Sequence, residues 1–115
     1  MKKFGLSLSK IIDSIPNIKN LQKDELKTGD QVFIFTGNSV YEIKKLDNSQ
    51  FLISGGWFDS NNVSPCKISI RGCTWGGSII HINLVAAIGL SIEFNNNLIT
   101  SPVSRIVVFK SEMLN

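Results

Sequence analysis

Through much of the chain, apolar and polar residues alternate with period two. Cys66, Ile68 and Ile70 alternate with Lys67, Ser69 and Arg71. Ile80, Ile82 and Leu84 alternate with His81 and Asn83, and Leu90, Ile92 and Phe94 with Ser91 and Glu93. Successive side chains of a strand point to opposite faces, so each set gathers its apolar members on one side. Three such segments in close succession predict an antiparallel sheet with one face buried. The run Gly72-Cys73-Thr74-Trp75-Gly76-Gly77-Ser78 separates the first two, and its glycines let the chain reverse.

Upstream, residues 32–35 form a continuous apolar run, which predicts a central strand or one buried on both faces. Residues 36–39 make a hairpin turn, 40–46 a returning strand, 47–49 a second turn and 50–54 a third strand. The stretch Gly55-Gly56-Trp57-Phe58-Asp59-Ser60-Asn61-Asn62-Val63-Ser64-Pro65 is the longest loop. Residues 85–88 fit either a continuing strand or a helical turn, and Asn95, Asn96 and Asn97 a tight hairpin. The chain from Leu98 to Phe109 reads as strand, bent at Pro102, which cannot donate to a ladder. The predicted fold is mainly β: a small antiparallel barrel or two-layer sandwich of seven or eight short strands. In a simple meander, Trp57 and Trp75 fall at opposite ends of the sheet.

The N-terminal part has a different rhythm. Phe4, Leu8, Ile11, Ile12, Ile15 and Ile18 recur at helical spacing, with Ser7 as N-cap and Pro16 ending the helix. A helix of this kind is expected to lie across one end of the sheet; its other reading is an amphipathic arm for a partner or a membrane. Asn20 is placed to cap a further short turn through Glu25. The organisation expected is a helical segment over residues 1–28 packed on the sheet, an antiparallel β domain over 29–110 and a tail over 111–115.

Length and charge narrow the function classes. A chain of 115 residues is one domain that can bury a core without staples. The net charge of +3 lies in the first 28 residues, where Lys2, Lys3, Lys10, Lys19, Lys23 and Lys27 outnumber Asp13, Asp24 and Glu25. The remainder is balanced, so the sheet carries no basic stripe of the kind that tracks a phosphate backbone. The apolar stretch after Lys2 and Lys3 soon meets Ser7, Ser9, Lys10 and Asp13, which fits neither a signal peptide nor a membrane span. Cys66 and Cys73, if joined by one strand, stand roughly 20 Å apart, too far for a disulfide. Two free thiols and a cytoplasmic location are expected.

Reactive chemistry finds little support. The Gly72 to Ser78 loop lacks the lysine of a phosphate-binding loop and leads into a strand where that loop needs a helix. Cys66, Cys73 and His81 are one ligand short of a closed zinc site and too widely spaced for one. His81 lies on the polar face and meets Cys73 only if the fold brings them together; the spacing of Glu42, Asp59 and Glu93 does not suggest a carboxylate pair. No catalytic residue, metal or cofactor is expected. Aromatic groups remain as ligand-binding candidates: Trp57 and Phe58 after the Gly-Gly pair, Trp75 between glycines, and Tyr41 with Asn38 at the first hairpin. The competing reading for each aromatic is closure of the core.

Two resemblances bear on the fold. The stretch Leu26-Lys27-Thr28-Gly29-Asp30-Gln31-Val32 resembles the strand entry of small SH3-like barrels. Asn38-Ser39-x-Tyr41-x-Ile43, Gly55-Gly56, Trp75-Gly76-Gly77-Ser78, Glu93-Phe94 and Thr100-Ser101-Pro102-Val103 together resemble a group of small, uncharacterised bacterial all-β proteins over most of residues 29–109. That likeness implies an all-β fold and carries no activity or ligand with it. The leading expectation is a non-enzymatic binding or assembly module that forms homo-oligomers through a strand edge or the helix, with a protein or small-molecule ligand also open. A nucleic-acid binder using the N-terminal lysines and a tryptophan is the second reading, and a hydrolase the third.

Overall fold

The computed structural model describes residues 18–76 and 79–113, so the expected helix over 4–15 lies outside the described residues. Within them the chain is mainly β. Ten strands form: β1 (Asn20–Gln22), β2 (Gln31–Thr36), β3 (Val40–Lys45), β4 (Phe51–Gly55), β5 (Cys66–Ile68), β6 (Ile70–Trp75), β7 (Ile79–His81), β8 (Leu84–Ala87), β9 (Ser91–Phe94) and β10 (Val103–Phe109). One short helix, α1 (Gly56–Ser60), occupies the loop after β4. No described helix is long and apolar enough to cross a membrane.

The strands form three antiparallel sheets, ordered β10-β2-β3-β4-β5, β7-β6-β9 and β1-β8. They do not close into a barrel. The meander holds for β2 to β5, but β10 returns beside β2 and β9 beside β6. The expected strand over 66–71 is divided at Ser69, so β5 pairs with β4 while β6 starts another sheet. Residues 85–87, apolar and small, resolve as strand β8. Its partner is β1, so strand structure begins at Asn20, ahead of the boundary expected at 29. The expected short turn through Glu25 exists as a 3₁₀ turn over Lys23–Glu25, capped by Gln22 where Asn20 was expected.

All three sheets contribute to one core. Val32, Ile34, Tyr41, Ile43, Phe51 and Ile53 line the five-stranded sheet; Ile70, Cys73, Ile92 and Phe94 come from the three-stranded sheet; Leu21, Val85 and Ala86 come from the two-stranded one. Apolar burial of this kind drives folding, at about 25 cal/mol per Å² removed from water. The alternation read from 66–70 and 90–94 therefore matches the buried face. Asp30 is the one charged side chain buried among the described residues. It accepts hydrogen bonds from the Lys27 and Ser111 amides at 2.8 and 2.7 Å, and from Lys110 Nζ at 3.3 Å. Both cysteines are free; Cys73 is buried and Cys66 half-buried.

Candidate functional site

The β6–β7 hairpin carries the most exposed apolar side chains of the described residues. Trp75 is 69% exposed, Ile79 64%, Ile82 61% and Ile80 37%. Large apolar side chains normally go inside, and a cluster of them outside marks a contact surface. The register places Trp75 opposite Ile79, Thr74 opposite Ile80 and Cys73 opposite His81. Cross-strand partners share a face, so Trp75 and Ile79 stand together on one side of the ribbon and Ile80 on the other. The root of the hairpin is buried at Cys73 and Thr74, while the outer end is open.

Gly72 is what lets the two strands meet at that root. Its φ is +155°, and a β-carbon there would stand 2.4 Å from the His81 carbonyl oxygen and 2.9 Å from the Ile82 Cα. The register also slips at this point, between Ile70 opposite Phe94 and Gly72 opposite Glu93, which is a β-bulge. Arg71 is the extra residue of the bulge; its side chain pairs with Glu93 and donates to Asn97 Oδ1 at 3.2 Å. Between Arg71 and Glu93 the sequence has no Lys, Arg, Asp or Glu. The hairpin is thus an uncharged apolar projection bounded by an ion pair.

The residues expected to bind a ligand separate into three places. Tyr41 and Phe58 are buried, packed edge to face at 6.3 Å between ring centroids; Phe58 also meets Phe94 at 5.2 Å. Trp57 sits outside this cluster against Phe58, at 5.3 Å and 41% exposed. Asn38 lies at the β2–β3 turn, where its Nδ2 donates to Ser101 Oγ at 2.7 Å. Trp75 stands elsewhere. Phe94 pairs with Ile70 at the start of β6, and Trp75 ends that strand, about 17 Å further along at 3.3 Å per residue. The two tryptophans therefore lie toward opposite ends of β6.

The fold does bring Cys73 and His81 opposite one another. A nucleophilic dyad needs a thiolate, and here burial pushes the Cys73 thiol up to about 12, against the smaller pull of Lys23 and an Ala87 backbone hydrogen bond. The sulfur therefore stays protonated at neutral pH. Among the described residues no three His, Cys, Asp or Glu side chains gather to hold a metal ion. A wide depression of about 510 Å³ is lined by Ile18, Lys19, Ile88, Ser104 and Arg105. The Ser104 hydroxyl in it donates to the Phe35 carbonyl at 3.1 Å.

Ile79, Ile80 and Ile82 are the site residues that alternation alone misses. Period two assigns Ile80 and Ile82 to a buried face. No signal in the sequence opposes that assignment, because His81 and Asn83 supply the polar parity that a half-buried strand would show. No family model matches this sequence, and no curated protein or solved structure matches it either.

Proposed function

We propose that the protein is a non-enzymatic binding and assembly module whose contact surface is the apolar end of the β6–β7 hairpin. The observation that carries this reading is the joint exposure of Trp75, Ile79 and Ile82 on an uncharged strand pair. Exposed apolar groups at that density cost solubility unless a partner covers them. The free thiols fit a reducing compartment, and a cytoplasmic location is part of the proposal. Beside Trp75, the surface members of the expected ligand-binding set are Trp57 and Asn38, with Phe58 packed against Trp57 and Tyr41 against Phe58.

The test is sedimentation velocity over a dilution series, with the wild-type chain compared with the double variant Ile79→Ser, Ile82→Ser. The wild type is expected to sediment faster as concentration rises, and to do so equally in about 0.5 M salt, where charge attraction is screened within a few ångströms. The double variant is expected to remain monomeric with an unchanged melting temperature. A wild-type monomer at every concentration, shifted by a single-stranded oligonucleotide only at low salt, would replace this reading with the nucleic-acid one.

A further inference from the structure

We infer that the partner at the hairpin is a second copy of this chain, joined antiparallel through β7 across a two-fold axis at Ile80. The inference rests on the reading of the hairpin as the contact surface, and adds what covers it and how. β7 is an outer strand; among the described residues it pairs with β6 alone. A strand bonded on one side points the N–H and C=O groups of alternate residues outward. Whatever covers the isoleucines has to satisfy those groups too. A lipid surface hides apolar side chains but leaves edge N–H and C=O groups unpaired, at several kcal/mol each. The edge of another strand does both.

That strand is supplied by β7 itself. Proteins usually keep strand edges apart with lysine, proline or an inward charge. Ile79-Ile80-His81 has none of these, and no charged residue occurs from residue 72 to 92. Two copies meet along this seam without like-charge repulsion. Charges are also how an edge selects a different protein, and this edge carries no such selector. Centred on Ile80, the pairing sets Ile79 opposite His81 of the other copy and leaves no residue of β7 unmatched.

Size and closure fit the same picture. At about 150–250 Å² for a whole large aromatic side chain and somewhat less for isoleucine, the four exposed residues present on the order of 450 Å² per copy. Two copies hide at most about 900 Å², below the 1,200–2,000 Å² of tight complexes, so the dimer is reversible. The joined sheet runs β9-β6-β7 and then the same strands of the second copy in reverse. Its outer strands are both β9, and those edges are already occupied. The Phe94 amide donates to Leu98 O and the Thr100 amide to Ile92 O, each at 2.9 Å, and Glu93 bridges Ile99. Growth therefore stops at two copies instead of continuing as a fibre.

The experiment is amide hydrogen exchange on the full chain at about 1 and about 300 micromolar, alongside sedimentation. A dimer in which the amides of residues 79–81 slow about tenfold at the higher concentration is expected. Ile80→Cys, oxidised at high concentration, is expected to give a covalent dimer that the wild-type chain, with its own two thiols, does not give. A dimer whose 79–81 amides exchange at unchanged rates would remove the edge pairing and leave the hairpin as a contact surface. A monomer at both concentrations would remove both. A monomer that floats with phosphatidylcholine–phosphatidylglycerol vesicles would put lipid in place of the second copy.

Discussion

Gly56 has φ +46°, and a β-carbon on it would stand 2.4 Å from the Tyr41 ring. The missing side chain is the seat for Tyr41, which in turn packs on Phe58 and Phe94. Gly56→Ala is therefore expected to cost about 2–4 kcal/mol through a strained backbone and an overfilled core, read as a lower urea midpoint at constant slope. Next to it, Phe58 and Trp57 separate by direction. Consecutive residues on a helix point about 100° apart, so α1 turns one ring inward and the other outward. Phe58→Ala is expected to cost about 3–5 kcal/mol, and Trp57→Ala less than about 1 kcal/mol, in the same titration. The sequence marks both as large aromatics after a Gly-Gly pair. It does not say which one faces the core, because that depends on where Tyr41 and Phe94 arrive from distant strands.

Among the elements, the Lys27–Asp30 turn joins the entry to β2 with the chain leaving β10. Burial alone would push the Asp30 carboxyl up. The Lys27 and Ser111 amides and the Lys110 ammonium outweigh burial and hold it below the usual carboxylate range. Its unfolded value is about 3.9, so the stability it contributes is complete above that pH and fades as pH falls through the folded value. Asp30→Asn is expected to lose about 1–3 kcal/mol at neutral pH and to flatten the fall in stability below about pH 4, checked by urea titrations from neutral to acid pH. The Gly-Asp turn itself is legible in the sequence; its partner is not, because Lys110 lies 80 residues away. The same limit applies to the strands. Residues 66–70 and 90–94 obey their alternation because other sheets cover them. Residues 79–82 follow a similar rhythm and stay exposed, since periodicity reports which side chains share a face and not whether anything lies against it. Leu84 to Ala87, with no polar alternation, sits in the core because β1 and β6 flank it.

For the whole molecule, charge and apolar exposure are arranged differently. The excess of lysines lies in the first 28 residues, while the hairpin between Arg71 and Glu93 carries none. A binder that works through the first feature gains its free energy from released counterions and weakens steeply with salt. One that works through the second gains it by taking apolar surface out of water, which has a thermal signature that salt does not alter. Burial of at most about 900 Å², mostly apolar, at about 0.45 cal/K/mol per Å² and reduced by the polar share, gives a negative association heat capacity of up to about 0.4 kcal/mol/K in size. Dilution calorimetry between about 10 and 35 °C is expected to show dissociation heats that change with temperature at that slope, with association weaker on cooling. The Ile79→Ser, Ile82→Ser variant is expected to give no heat beyond that of mixing. A slope near zero combined with strong salt dependence would instead locate the working surface among the lysines, since charge pairing buries little apolar area and leaves the heat capacity nearly unchanged.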